Sequence, residues 1–336
     1  MTTSIEQPIS NFLENVHLAP TQMGKSLSLW PLVLNDAITV PEGPDYVARN
    51  TALARGTLQI DEVADSRAPR QVRVSNTGSV ATLFLFGEEV LGTENRIANA
   101  SFLISANGEA VLDVSCSEAK RCAESWSACI QRNDEVISLS PYERMSEWVR
   151  SCPFATRTGG LSNLIDLYPD QTTNMDREAI HSAPRKRWWP SGQHAASASS
   201  PPRSGASDSD RHEFFPESPG EAFHPIARQI GFVACIGGRV VGVEAIGRPD
   251  VFRSYFTAML RNYAIDARME SERDHPESAG GTRFEAPEEF LEALAGTEVN
   301  RGCSRGIGND YRIEGDLVAG SALANEGLVH LTALPT

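Results

Sequence analysis

Apolar and polar residues alternate with a short period through the first third of the chain. "QVRVSN" (71–76) sets Val72 and Val74 to one side and polar residues to the other, which predicts a half-buried strand. "GTLQIDEV" (56–63) alternates Leu58, Ile60 and Val63 less regularly. "VATLFLF" (80–86) is apolar on both faces and predicts a central strand. "SLSLWPLVL" (26–34), "ASFLI" (100–104) and "AVLDVSC" (110–116) complete the series. Asn107-Gly108, between two apolar runs, predicts a hairpin. Residues 20–118 therefore read as a β-rich layer.

From about Glu118 the period lengthens. "SEAKRCAESWSACIQRN", with Ser117 as a cap, and "SPYERMSEWVRSCPF" (140–154), with Pro141 in its first turn, predict helices. "LSNLIDLY" (161–168) adds a further turn or two, so 119–190 reads as a helical part. The stretch 191–223 is rich in Ser, Ala, Pro and Gly. It has few apolar residues before Phe214 and cannot offset its ordering entropy, so it predicts a mobile insertion.

Order returns in 224–336. "ARQIGFVACIGGRVVGVEAIG" (227–247) predicts two strands joined at Gly237-Gly238. "PDVFRSYFTAMLRNYAIDARMESE" (249–272) carries Phe252, Phe256, Met259, Leu260 and Tyr263 at helical spacing. "PEEFLEALAG" is a short helix closed by Gly296, and the remaining tail is β again. The expected fold class is α+β: a substantial mixed or antiparallel sheet with helices packed on it. An N-terminal arm (1–19) precedes a single domain (20–336).

Composition narrows the function classes. The 336 residues carry a net charge of −14, which argues against neutralising nucleic-acid phosphates. No apolar run reaches the roughly 18 residues of a membrane span, and the N-terminus lacks a basic, apolar leader. The six cysteines form no CxxC pair, which points to a reducing, cytoplasmic setting. The histidines show no metal-ligand spacing, and no metal or cofactor is assigned.

The chemistry concentrates in "LFLFGEEVLGTENR" (83–96). A buried strand runs into Gly87, Glu88 and Glu89, then a polar cluster of Thr93, Glu94, Asn95 and Arg96. Burial raises a carboxyl pKa and a neighbouring arginine lowers it, a balance that suits an acid/base group or a ribose-hydroxyl acceptor. Alone, the segment reads first as a sheet-edge turn with a structural salt bridge. "DVSCSEAKR" (113–121) repeats the pattern with Cys116, Glu118 and Arg121. If strands 80–86 and 110–116 are neighbours, Glu88, Glu94, Arg96, Glu118 and Arg121 gather at one crevice. Cys116 reads as a small buried hydrophobe rather than a nucleophile. "RGIGNDYRIEG" (305–315), with Asp310 and Arg312, offers a weak phosphate-cradle pattern, and its plain reading is a connecting turn. His330 reads as a core or edge histidine. Trp188 and Trp189 read as an anchor for the start of the insertion.

These residues resemble a family. "VRVSNTGSVATLFLFGEEVLGTENRIANASFLI" followed by "VLDVSCSEAKR" is similar to the core of the ARG and Rhodanese-Phosphatase-superfamily-associated protein domain, where ARG denotes ADP-ribosylglycohydrolase. The matching positions are Asn76, Gly87-Glu88, Gly92 to Arg96, and Val114 to Arg121. The segments 229–252 and 311–334 also look alike. Glu94 stands where the pattern has Gln, and Cys122 where it has Trp. The resemblance implies a role in the metabolism of NAD-derived or ADP-ribosylated molecules. Glu88 and Glu118 would then be catalytic. Arg96, Arg121, Glu94, Asn95, Asn76, Asp310 and Arg312 would bind a small nucleotide-like ligand. A non-catalytic nucleotide sensor and an acidic protein-interaction scaffold are the alternatives.

Overall fold

A computed structural model describes residues 8–39, 45–63, 71–86, 88–90, 96–98, 100–116, 222–271 and 284–336. The helices expected at 117–133 and 140–154, Trp188 and Trp189, and nearly all of 191–223 lie outside these residues.

The chain begins with α1 (Pro8–Glu14), β1 (Val16–Leu18), β2 (Gln22–Met23) and β3 (Leu27–Leu34). Next come β4 (Tyr46–Ala48), α2 (Arg49–Ala54), β5 (Leu58–Glu62), β6 (Gln71–Asn76) and β7 (Ala81–Phe84). Then follow β8 (Glu89–Val90), β9 (Arg96–Ala98), β10 (Phe102–Ile104) and β11 (Gly108–Cys116). The second part holds β12 (Gln229–Ile236), β13 (Arg239–Ile246), α3 (Pro249–Ser271) and α4 (Pro287–Ala295). The chain closes with β14 (Val299–Cys303), β15 (Asn309–Glu314), β16 (Val318–Ala324) and β17 (Leu328–Pro335).

Among the described residues the strands form three sheets. The largest has nine strands in the order β1-β3-β12-β13-β17-β16-β15-β14, with β2 also on β3. A three-stranded sheet runs β10-β7-β4, and a five-stranded one runs β5-β6-β11-β9-β8. Among the described residues the β4–β7 pairing is parallel and the rest are antiparallel. The fold class is α+β, with extensive antiparallel sheet and few helices, as the periodicity predicts.

Side-chain alternation sorts the core into layers. On β13, Val243 and Ala245 face a core closed by α1 and α4, where Ile9, Phe12, Phe290 and Leu294 pack. Ile246 faces the other side, which α3 covers with Phe252, Tyr255, Phe256, Met259 and Tyr263. These residues recur at helical spacing, so one stripe of α3 is buried. Phe232 meets Phe252, Phe256 and Tyr263 edge-on at centroid distances of 6.2, 6.2 and 5.4 Å. Leu83 and Leu85 join this second core, while Phe84 and Phe102 face a third, between the two smaller sheets. All four residues of β7 are buried, as expected of a central strand.

Three expectations change. Asn107-Gly108 makes a turn, with Asn107 at φ 50°, but not a hairpin. β10 pairs with β7 and β11 with β6, so the turn carries the chain from one sheet to another. For the same reason strands 80–86 and 110–116 are not neighbours: β7 lies between β10 and β4, and β11 between β6 and β9. Phe223, at the end of the stretch read as the insertion, is buried in the core beneath α3. The Gly237-Gly238 hairpin does form, with φ of 58° and 77°, a backbone region open to glycine.

The N-terminal segment is part of the packing. Ile9 and Phe12 are buried, and β1 pairs with β3 from Val16↔Leu34 to Leu18↔Leu32. No helix among the described residues is long and apolar enough to cross a membrane.

Candidate functional site

Glu88 stands just beyond β7, in a turn that its own groups hold closed. Its N–H donates to Leu85 O at 3.1 Å, and its carboxylate Oε2 accepts from Leu85 N–H at 2.8 Å. Its carbonyl accepts from Ala98 N–H on β9 at 2.9 Å. The side chain is 0% exposed, so its charge has no water to solvate it.

The countercharge is Arg49. It opens α2, directly after β4, and β4 runs parallel to β7 with Ala48 opposite Leu83. That pairing carries the guanidinium toward Glu88. Arg49 is 1% exposed, and its Nε donates to Glu88 Oε1 in a short charge-assisted contact. Tyr255 of α3 locks the geometry from above. Its hydroxyl accepts the Arg49 N–H at 3.1 Å and donates to Leu83 O at 2.7 Å.

The electrostatics follow from burial. Desolvation pushes the Glu88 carboxyl above its usual range, against the opposing pull of Arg49 and the Leu85 N–H. Burial, reinforced by Glu88, also raises the Tyr255 phenol. Arg49 Nη2 is buried and finds no hydrogen-bond partner among the described residues. A guanidinium has five donors, and this buried one can serve an acceptor. The centre thus sets a buried carboxyl, its pKa raised, beside a guanidinium that has a further donor.

The other expected site residues are distributed unevenly. Arg96 lies on β9, opposite Val90 on β8 and Cys116 on β11. The ends of the two sequence clusters therefore do approach each other, through the intervening β9 rather than by direct pairing of strands 80–86 and 110–116. Glu94, Asn95, Glu118 and Arg121 lie outside the described residues.

Asn76 is 2% exposed and fully engaged with backbone. Its Nδ2 donates to Val80 O at 2.8 Å and Ser105 O at 3.0 Å, and its Oδ1 accepts from Gly78 N–H at 2.9 Å. That is the work of a turn anchor joining the 76–80 turn to the end of β10.

Asp310 and Arg312 share one face of β15 and pair with each other at 2.5 Å. They stand in the nine-stranded sheet, whereas Glu88 follows the three-stranded one. Burial raises the Asp310 carboxyl, with Arg312 opposing. The preceding glycine loop rests on β10. Ile307 N–H donates to Leu103 O at 2.8 Å, and a Cβ on Gly306 would fall 2.2 Å from that same oxygen. Close backbone approach accounts for Gly306 there. His330 is wholly buried on β17, with Ser101 and Glu244 at its two ring nitrogens.

Sequence reasoning missed Arg49, Tyr255, Ser101 and Glu244. Arg49 sits in "YVARNTALAR", where nothing local marks it. Its one indirect signal is the buried carboxylate 39 residues away, which needs a cation.

The chain matches the profile of ARPP-1, the ARG and Rhodanese-Phosphatase-superfamily-associated Protein domain, over residues 15–149 and 193–334. It belongs to that family. No curated protein and no solved structure matches it.

Proposed function

We propose that this chain is a ligand-processing domain for NAD-derived or ADP-ribosylated molecules, with Glu88 at its chemical centre. The family's association with ADP-ribosylglycohydrolases supports the substrate class. The observation that carries the reading is the buried Arg49–Glu88 pair, in which a carboxyl with a raised pKa stands beside a guanidinium with an N–H that finds no partner among the described residues. A carboxyl whose pKa burial raises serves a leaving group or a ribose hydroxyl, and the available N–H donates to an oxygen of the ligand. Arg96 and Arg121 are assigned to ligand phosphates, with Glu94 and Asn95 beside them. Glu118 orients one of these groups or assists proton transfer. Asp310 and Arg312 would form a secondary polar contact on β15.

Calorimetric titration with ADP-ribose, NAD, AMP and ribose 5-phosphate, each mixture then weighed by mass spectrometry, tests this. The expected result is saturable binding of at least one nucleotide and a new product mass, with turnover lost in Glu88→Gln. Binding without a product makes the domain a nucleotide sensor, the second reading, which needs Arg49 but no proton transfer. An unchanged turnover and affinity in Glu88→Gln would overturn the assignment of Glu88.

A further inference from the structure

A second set of buried polar side chains stands in a line, and Glu88 has no part in it. His330 and Glu244 are 0% exposed and Ser101, just before β10, is 4% exposed. Ser101 Oγ lies 2.7 Å from His330 Nδ1. The opposite ring nitrogen, Nε2, faces Glu244 Oε2 at 3.6 Å. Glu244 Oε1 accepts from Thr332 Oγ1 at 3.1 Å and from the Tyr263 hydroxyl at 3.2 Å.

Three elements assemble this line. Glu244 on β13 stands opposite Thr332 on β17, and His330 is two residues before Thr332, so all three share one face of the nine-stranded sheet. Tyr263 reaches the carboxylate from α3. Ser101 arrives from the three-stranded sheet.

One hydrogen bond, Ser101 to Nδ1, and one longer electrostatic contact, Nε2 to Glu244, give the line a direction. A carboxylate facing Nε2 favours the tautomer with its proton there, which leaves Nδ1 as an acceptor. Ser101 Oγ already accepts the Phe86 N–H at 3.0 Å, so its own O–H is turned to donate to Nδ1. A hydroxyl bonded to an imidazole that is in turn oriented by a carboxylate is the arrangement that activates a serine.

We propose that Ser101, His330 and Glu244 form a nucleophilic centre that acts on uncharged carboxylic esters. Ser101 Oγ forms a bond to the acyl carbon as its proton passes to His330 Nδ1. Glu244 stabilises the imidazolium through Nε2. The carbonyl π pair moves onto oxygen and returns as the C–O bond to the alcohol breaks, and His330 hands its proton to that alcohol. Water then repeats the sequence on the acyl-serine, releasing the acid and restoring Ser101. The Phe86 N–H steadies negative charge on Oγ during proton loss. Neutral substrates are favoured because the Glu244 carboxylate repels an anionic phosphate.

The test is labelling of the full, folded chain with diisopropyl fluorophosphate, a small neutral probe whose fluoride leaves as Ser Oγ bonds to phosphorus. One adduct per chain is expected, mapped to Ser101 by peptide mass spectrometry and absent in Ser101→Ala. In His330→Gln, labelling should slow about a hundredfold or more, the scale of general-base assistance. A folded wild-type chain that takes no label, or takes it elsewhere than Ser101, overturns the proposal, and that readout stands even if His330→Gln fails to fold. No nucleotide enters the assay, so its outcome is separate from the ADP-ribose reading.

Discussion

Arg49–Glu88 and Arg73–Glu109 are the same chemical pair in two settings. Both join an arginine to a glutamate across neighbouring segments of the β-rich half. The first pair is 1% and 0% exposed, and each partner has further buried contacts. The second bridges β6 and β11 at 3.4 Å with side chains 50% and 52% exposed. In water, attraction is screened and the two side chains lose rotamer entropy to meet, so such a pair contributes little. Without water, each charge depends on the other and on fixed donors, so removing one partner is costly while the intact pair adds little net stability. Burial, more than the presence of a salt bridge, separates a pair whose partners depend on each other from surface decoration.

The largest effect that would sharpen this contrast is expected from Arg49→Met. It strips the countercharge from a buried carboxyl and should lower stability by about 3–5 kcal/mol in urea denaturation. The double variant Arg49→Met/Glu88→Leu should recover most of that loss, because an apolar pair needs no solvation. A double variant as unstable as the single one would mean that something other than the unpaired charge is responsible.

Asn76→Ala should come next, at about 1–3 kcal/mol, because it leaves the Val80 and Ser105 carbonyls and the Gly78 N–H without their partner. A thermal melt reads it directly. A loss below half a unit of that scale would show that water replaces the amide.

A smaller effect is expected on the pH dependence. Burial raises the folded-state pKa of Glu88 and of Asp310, so the folded chain holds those protons more tightly than the unfolded one. The stability they contribute is present at low pH. It is lost as pH climbs from the ordinary carboxyl value to the raised folded value, and it levels off above that. Glu88→Gln should flatten this decline in part, with Asp310 supplying the remainder, when urea midpoints are followed from acid to neutral pH. An unchanged slope would show Glu88 ionised throughout.

The smallest effect belongs to the exposed pair. Arg73→Ala should shift stability by no more than about 1 kcal/mol, and added salt should erase the difference. A larger loss would break the comparison at its surface end.

The site was half legible beforehand. Glu88 stands out because an apolar strand runs into acidic residues, a local conflict that the chain resolves only at a special place. Asn76 is marked by the resemblance as a ligand-binding position, and in the structure its amide is held by the carbonyls of Val80 and Ser105, as in a turn anchor. His330 looked like a core histidine, and its burial agrees. What surrounds it, Ser101 and Glu244, had no sequence signal, because both stand singly among small and apolar residues.

The sequence by itself determined the elements. Period-two alternation placed β5 and β6, apolar runs around Gly237-Gly238 placed β12, β13 and their hairpin, and the helical stripe placed α3, because these features depend on neighbours a few residues away. It also carried the family, since residues 15–149 and 193–334 match as sequence. Only the tertiary structure decided which sheet each strand joins and which side chains meet. Arg49 reaches Glu88 across 39 residues, Glu244 meets Thr332 across 88, and Ser101 meets His330 across 229. Such partners are chosen by sheet order and by the helix that covers them. Local patterning leaves many sheet orders open, and the three cores select one by burying every apolar face at once.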